Sequence, residues 1–214
     1  VLAWNRVEWL EIYAAAAKAG LVAVPVNFRL VTPEIRFILQ DCAVSAVIAE
    51  HGLHDAIDEI RADLSIPENR FVHLGGTGTP AGWRGYEDLV ANGAPGEPEV
   101  AVTPSDPWCL MYTSGTTGNP KGAIRGHQGI GNLALMTAVE LGLGRNDEAM
   151  LVMPMCHANS LYFFASFLHC GGATSVFSRR SFDAGHCLRA LAETGASFTS
   201  LVPTHYEMML DLRG

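Results

Sequence analysis

The segment YTSGTTGNPKG at residues 112–122 concentrates residue types that can bind a polyphosphate. Small residues let backbone N–H groups approach an anion closely, hydroxyls donate hydrogen bonds to phosphate oxygens, and the ammonium of Lys121 adds positive charge. A flexible linker rich in Gly, Ser and Thr is the alternative interpretation. Pro120 stiffens the segment, Lys121 lies within it, and the apolar run 108–111 precedes it directly, so a phosphate-binding loop is favoured.

This loop does not match the Walker A pattern, G-x-x-x-x-G-K-S/T. Counting from Gly115, the second glycine of that pattern falls at Pro120, which has no backbone N–H, and the hydroxyl residue falls at Gly122. Such a loop cannot wrap phosphates or hold Mg²⁺ in the Walker manner. The sequence therefore predicts a phosphate loop of another kind.

The loop resembles the phosphate-binding signature of the adenylate-forming superfamily, which includes acyl- and aryl-CoA synthetases, adenylation domains of peptide synthetases, and luciferases. Four further parts of the chain are similar to that family: KAGLVAVPVNFRL at 18–30, His127, MPMCHANSLYFF at 153–164 and SLVPT at 200–204. The likeness runs from near the start of the chain to its C-terminus and covers under half of a full family member.

This resemblance implies a reaction in two steps that uses ATP, Mg²⁺ and coenzyme A. A carboxylic acid first attacks the α-phosphorus of ATP and releases pyrophosphate, and a thiol then attacks the acyl-adenylate and releases AMP. The protein must position the reactants and stabilise the leaving pyrophosphate. Thr117 is the implied metal ligand. The implied cofactor-binding residues are Thr113, Ser114, Gly115, Thr116, Thr117, Gly118 and Lys121.

Two residues are the predicted catalytic groups, Lys121 in the loop and His157 in the segment that resembles the family's acyl pocket. An ammonium on a long side chain could instead brace the loop or lie on the surface. The alternative for His157 is a helix-capping or packed histidine. Cys156 stands where the family usually has an aromatic residue, and a Cys156–His157 nucleophile–base pair is disfavoured because sequence neighbours seldom face each other.

The acyl-pocket segment is free of acidic residues from Met153 to Phe167. Relatives that activate amino acids carry Asp at or beside this position to hold the substrate ammonium. The resemblance therefore implies a plain carboxylic acid, fatty or aromatic, as the substrate. The run LYFFASFL at 161–168 is expected to pack mostly in the core, with some side chains reaching the acyl pocket.

The leading functional prediction is an AMP-forming acid–thiol ligase, an acyl-CoA synthetase. A luciferase-like oxygenase that shares the adenylation step is a second hypothesis, and a nucleotide-binding module without catalysis is a third. Family segments that hold the metal and the ribose, and the C-terminal lid domain, are not found in these residues. We therefore expect this length of chain alone to be inactive; a homodimer remains open.

Composition is typical of a soluble α/β protein, with 49% hydrophobic and 17% charged residues. A formal net charge of −8 argues against nucleic acid or an anionic membrane as a partner. No apolar stretch approaches the ~20 residues of a transmembrane helix. Five cysteines without a C-x-x-C pair indicate reduced thiols and a cytoplasmic location.

A pair of histidines, His51 and His54, has a spacing that could ligate a metal ion from a helix. The sequence shows no ligand cluster around them, so the start of a surface helix is the favoured interpretation.

Strands and helices alternate along the chain, which predicts an α/β fold with largely parallel sheets covered on both faces. By resemblance this is part of the large N-terminal domain of an adenylate-forming enzyme, with one subdomain segment at 1–100 and a second, carrying the loop, at 101–214. A capping box of Asn5 and Glu8 is expected to open the first helix, which Gly20 ends. Further helices are predicted from Thr32 and at 53–62, 127–141, 158–169, 183–193 and 204–212, and strands at 21–26, 44–49, 71–74, 108–112, 122–126, 149–153, 173–177 and 197–202.

Overall fold

The computed structural model describes residues 1–113 and 119–213. Its helices are α1 (Glu8–Ala19), α2 (Thr32–Asp41), α3 (Asp55–Asp58), α4 (Tyr86–Ala91), α5 (His127–Leu141), α6 (Ala158–Cys170), α7 (Ala184–Thr194) and α8 (Pro203–Leu210). Its strands are β1 (Val47–Glu50), β2 (Phe71–Leu74), β3 (Arg84–Gly85), β4 (Pro107–Thr113), β5 (Lys121–Gly126), β6 (Glu148–Leu151), β7 (Ala173–Val176) and β8 (Phe198–Thr199). Short 3₁₀ turns lie at Arg61–Asp63, Glu68–Arg70 and Asp211–Arg213.

These strands form two parallel sheets and one antiparallel hairpin. Parallel pairing joins β1 to β2 and β2 to β3, and β6 pairs in parallel with both β7 and β8. The predicted α/β fold with parallel sheets is thus confirmed. The strands β4 and β5 are the exception and pair antiparallel, since a short connection can only return the chain in the opposite direction.

Helix α1 belongs to the core that joins the two halves of the chain. Its residues Trp9 and Tyr13 are fully buried and belong to one apolar cluster with Trp108 of β4, Ile130 of α5 and Phe167 of α6. A second cluster packs α2 and α3 against the sheet of β1 and β2. Burial of large side chains from distant segments therefore fixes α1 against the elements that carry the candidate site.

The start of α1 differs from the predicted capping box. Val7 occupies the N-cap without a side-chain hydrogen bond, Glu8 forms an ion pair with Arg6, and Asn5 is buried with partners elsewhere. The capping-box prediction is therefore wrong, because tertiary hydrogen bonds occupy the Asn5 side chain. The predicted end is confirmed: Gly20 closes α1 with φ of 65°, a left-handed conformation that suits glycine.

Several other predicted elements are shorter than expected; the strand predicted at 44–49, for example, is β1 at Val47–Glu50. Residues 21–26 make only isolated bridges, Ala23 to Cys109 and Val26 to Leu2, because the segment changes partner and cannot form one continuous ladder. The helix predicted at 53–62 is limited to α3 and a following 3₁₀ turn. The strand predicted at 197–202 pairs with β6 for only two residues.

The helices with clear end signals match their predictions best. α5 has the predicted bounds, and α6 and α7 agree to within one residue at each end. α2 begins at Thr32 with Pro33 in its first turn, where the missing N–H of proline is tolerated. Within the described residues, no helix combines the length and the apolar character needed to cross a bilayer.

Candidate functional site

The β4–β5 hairpin holds both ends of the predicted phosphate loop. Thr113, the last residue of β4, pairs with Lys121, the first residue of β5, and Tyr112 pairs with Gly122. Thr113 and Lys121 are both exposed. A strand pair of this kind fixes the two side chains as neighbours at the loop end of the hairpin, where a ligand in solution can reach them.

Most of the predicted loop lies outside the described residues. This applies to the predicted cofactor-binding residues Ser114, Gly115, Thr116, Thr117 and Gly118. The assignment of Thr117 as the Mg²⁺ ligand falls on one of them. Their roles therefore stay predictions, and only the loop-flanking Thr113 and Lys121 can be placed.

The hairpin is anchored to the core through β4. The indole N–H of Trp108 donates a 2.9 Å hydrogen bond to the backbone oxygen of Tyr13 in α1. Ala23 donates its N–H to the Trp108 oxygen and accepts from the Leu110 N–H, both at 2.9 Å. Ala23 and α1 both form hydrogen bonds with β4. The core therefore sets the position of Thr113 at the end of this strand.

Gly122 is required by packing across the hairpin. A Cβ atom at this position would lie 2.9 Å from Leu110 Cδ1 and 3.2 Å from the ring of Tyr112. Tyr112 in turn donates its hydroxyl hydrogen bond to the carboxylate of Asp41 at the end of α2. The glycine that ends the sequence motif thus lets Tyr112 cross the hairpin and tie it to α2.

His127 begins α5 directly after β5 and stacks on Trp108. The two ring centroids are 5.6 Å apart and the planes differ by 17°. The backbone N–H of His127 donates to the Asp106 oxygen at 3.0 Å. Its Nε2 is buried and lacks a hydrogen-bond partner among the described residues, a costly arrangement unless a further group binds there.

His157 stands at the N-cap of α6 and is exposed. Its backbone N–H donates to the Pro154 oxygen at 3.0 Å, while its ring makes no capping hydrogen bond within the described part of the chain. Partial desolvation and the nearby positive charge of Arg29 lower the pKa of His157 below its usual value. The imidazole is therefore neutral at neutral pH and can accept a hydrogen bond through one nitrogen.

The segment that leads to His157 is held by three side chains. The Asn5 amide nitrogen donates to the backbone oxygens of Val152 and Met153 at 3.2 and 3.1 Å. The Tyr13 hydroxyl donates to the Met155 oxygen at 3.0 Å, and the Ser160 hydroxyl donates to the Met153 oxygen at 2.8 Å. Paired polar groups in a buried setting fix this turn in one conformation.

Cys156 is buried, which disfavours a role as a nucleophile. Its exposed fraction is 7%, and burial raises the pKa of its thiol to about 11. A nucleophilic cysteine requires the thiolate, which is scarce at neutral pH with such a pKa. This supports the interpretation that Cys156 and His157 do not form a nucleophile–base pair.

The run 161–168 is mainly core, as predicted. Leu161, Phe164 and Phe167 are buried in the main cluster, while Tyr162 and Phe163 are only partly buried. The guanidinium of Arg125 in β5 lies 6.0 Å from the centre of the Tyr162 ring, which connects the hairpin with α6.

The predicted site residues therefore fall into two groups. Thr113 and Lys121 are brought together by the hairpin, and His157 lies at the start of α6. Hydrogen bonds and ion pairs within the described ranges do not connect His157 with either of them. Sequence reasoning missed Asn5, which it took as a helix cap, and Arg29, which appeared only as part of the similar segment 18–30.

One known protein family matches the whole length of the chain. The sequence profile of the family described as "AMP-binding enzyme" matches residues 1–214. The chain belongs to this family.

Curated relatives include several ligases of coenzyme A. The chain is 33% identical over 208 residues to the long-chain-fatty-acid–CoA ligase FadD13 of Mycobacterium tuberculosis, an alignment that covers 96% of this chain and 39% of the relative. It is 31% identical over 215 residues to indoleacetate–CoA ligase of Aromatoleum aromaticum, with 98% and 40% covered. The chain thus spans about two fifths of the length of these relatives.

Solved structures show the same fold. The anthranilate CoA ligase AuaEII in complex with anthranoyl-AMP superposes with a TM-score of 0.89 at 25% identity, over 96% of this chain and 40% of that protein. The N-terminal domain of FACL13 from Mycobacterium tuberculosis gives a TM-score of 0.81 at 30% identity, over 97% and 50%. The predicted likeness to the N-terminal domain of adenylate-forming enzymes is confirmed.

Proposed function

We propose that the whole protein is an AMP-forming acid–thiol ligase that converts a carboxylic acid into its coenzyme A thioester. The observation that carries the proposal is the family match over all 214 residues, together with relatives named as CoA ligases. The hairpin that presents Thr113 and Lys121 at the ends of the hydroxyl-rich loop supports it from the geometry.

The proposed chemistry has two group transfers. A carboxylate oxygen forms a bond to the α-phosphorus of ATP, the bond to the bridging oxygen breaks, and pyrophosphate leaves with the electron pair. The sulfur of coenzyme A then attacks the acyl carbon, the bond from that carbon to the oxygen shared with phosphorus breaks, AMP leaves with this oxygen and the electron pair, and the thiol proton passes to solvent. Lys121 and Thr113 would bind and orient the phosphates, and charge stabilisation of this kind lowers the barrier.

His157 would line the acyl side of the site. Hydrogen bonds from the core hold the backbone turn before His157, which supports a fixed position for this residue beside the substrate. A neutral imidazole with Arg29 beside it suits a carboxylate better than an ammonium. Together with the absence of acidic residues from Met153 to Phe167, this favours a fatty or aryl acid over an amino acid.

The remaining assignments are proposals of the same kind. Thr117 would help to hold Mg²⁺, which would supply positive charge to stabilise the leaving pyrophosphate. Five free thiols support a cytoplasmic location. Division into segments 1–100 and 101–214 stays a prediction: the exposed, Pro- and Gly-rich passage 93–99 lies between them, but one apolar cluster packs α1 of the first against elements of the second. A homodimer stays a prediction that sedimentation of the whole protein would check.

The test is exchange of labelled pyrophosphate into ATP by the whole protein, against a panel of fatty, aryl and amino acids. Exchange that depends on a fatty or aryl acid, followed by acyl-CoA formation seen by mass spectrometry, is the expected result. Adenylate formation without thioester, with oxygen-dependent light emission, would instead identify an oxygenase. ATP binding without exchange would identify a non-catalytic module, and best turnover of an α-amino acid would contradict the specificity.

A further inference from the structure

Three histidines from separate segments converge beside the first parallel sheet. His51 follows β1, His54 precedes α3, and His73 lies on β2; each offers a ring nitrogen, and the three nitrogens lie within 4.8 Å of one another. Their ring centroids are 4.9 to 5.5 Å apart. The pairing of β1 with β2 brings His73 next to His51 and His54, for which the sequence alone showed no third ligand.

His73 is the buried member of this cluster. Its exposed fraction is 2%, and its Nε2 has no hydrogen-bond partner within the described residues. A buried, unpaired imidazole nitrogen is costly, and neutral imidazole is the form that binds metals.

The surrounding backbone leaves room for the three rings to meet. Gly76 has φ of 81°, and a Cβ at this position would lie 3.0 Å from the ring of His51. The N–H of His51 donates to the Leu74 oxygen at 2.9 Å, which fixes the residue at the end of β2. Glycine at this turn therefore permits the approach of His51 to the sheet.

We propose that His51, His54 and His73 bind one divalent transition-metal ion of the zinc type. Three imidazole nitrogens with a fourth position left to water form a common tetrahedral zinc environment. Metal–nitrogen distances of about 2.0–2.1 Å place ligand atoms roughly 3.3 Å apart, so the rings need to close by about 1–1.5 Å. His51 is exposed and can supply that movement.

Two features of His54 count against this assignment, and the experiment must distinguish them from the proposed site. His54 Nδ1 accepts a long hydrogen bond, 3.2 Å, from the Gly52 N–H, which metal binding through that atom would replace. His54 also forms an alternative ligand group with Asp55 and Asp58. Asp58 already accepts a 2.9 Å hydrogen bond from the Trp83 indole, and Asp55 is 80% exposed, so neither is held as a ligand.

The experiment is calorimetric titration of the whole protein with ZnCl₂, with metal content measured after dialysis. One bound equivalent is expected. His51→Ala should weaken binding at least about tenfold, since even loss of a residue that only supports a ligand costs that much. His169→Ala, which removes an exposed histidine of α6, is the matched control and should bind as the unaltered protein does.

Two results would overturn the proposal. The first is no bound zinc in the unaltered protein, and the second is unchanged binding by His51→Ala. If Asp55→Asn then loses binding, the ion belongs to the acidic group instead.

A spectrum of the unaltered protein with Co²⁺ avoids the risk that His73 variants misfold. Visible absorption of four-coordinate Co²⁺ without a thiolate charge-transfer band is expected for three imidazoles and one water. A thiolate band would place the metal on cysteine, and absence of four-coordinate absorption would also contradict the proposed site.

Discussion

The side-chain oxygen of Asn5 accepts a 2.8 Å hydrogen bond from the backbone N–H of Met155, which lies 150 residues further along the chain. The same amide donates to the two backbone oxygens just before it. This buried side chain near the start of the chain, together with Tyr13 and Ser160, therefore holds the turn that precedes His157.

Replacing Asn5 with Ala should lower the free energy of unfolding by about 2–4 kcal/mol. The variant leaves buried backbone groups of the turn without partners, and each such group costs about 1–3 kcal/mol. Urea denaturation measures the change. Asn92→Ala is the control, because this exposed side chain at the end of α4 bonds only to the nearby Asp88 backbone oxygen; it should stay within about 0.5 kcal/mol. Equal effects of both variants would show that the hydrogen bonds of Asn5 to this turn contribute little to stability.

Replacing Lys121 with Ala should slow adenylate formation about 10²–10³-fold while the fold persists. This is the typical cost of removing one preorganised donor that stabilises developing charge. Pyrophosphate exchange measures the rate, and circular dichroism checks the fold. The other lysine of the chain, Lys18, pairs with Glu97 at the surface, so Lys18→Ala is a matched loss of charge that should leave the rate unchanged. An equal rate in Lys121→Ala would refute its role.

Replacing Arg29 with Gln should raise the pKa of His157. The guanidinium opposes protonation of the imidazole, so its removal favours the charged ring. Titration of the His157 ring by NMR measures the shift, and Arg84→Gln, an exposed arginine on β3, is the control. A pKa that stays constant, or falls, would contradict the proposed neighbourhood.

Stability should fall as the solution is made acidic. The pKa values of His157 and His73 are lower in the folded chain than the usual value of about 6.5, so the unfolded chain takes up protons first as pH falls through that value. Urea denaturation from pH 7.5 to pH 5.5 measures this loss. The loss should be smaller in His73→Gln, whose side chain does not titrate, than in the unaltered protein; an equal loss would exclude His73 as a source.

Cys156 should resist alkylation at pH 8. With a pKa of about 11 its thiolate fraction is on the order of 10⁻³, and its sulfur is buried. Iodoacetamide labelling followed by peptide mass mapping should modify the half-buried Cys170 first. Rapid labelling of Cys156, or loss of activity in Cys156→Ser, would restore a chemical role for this residue.

The sequence predicted elements whose limits are set by nearby residues. α5 and β2 have the predicted bounds because glycines, prolines and apolar runs act locally. The segment 21–26 fails because its partners are two different strands far away in sequence. The antiparallel pairing of β4 with β5 was not predicted either, because the alternation of strands and helices along the chain favours parallel sheets.

Sequence motifs predicted the residues of the candidate site. They did not predict the residues that hold the site in place. Lys121 and His157 stand in segments with a recognisable pattern, whereas Asn5 resembled an ordinary helix cap. Its buried partners are backbone groups, which carry no residue type that a sequence could reveal. His73 was missed as a member of the histidine cluster for the same reason, since only strand pairing brings it near His51.

The contact between Asn5 and Met155 also orders events during synthesis. A chain made at roughly 5–20 residues per second needs roughly 8–30 seconds to add the 150 residues that separate them. Until then Asn5 has none of its buried partners, and α1 emerges from the ribosome without the surface that it later covers. Chaperones that shelter this helix would therefore act on the nascent chain well before the turn next to His157 exists.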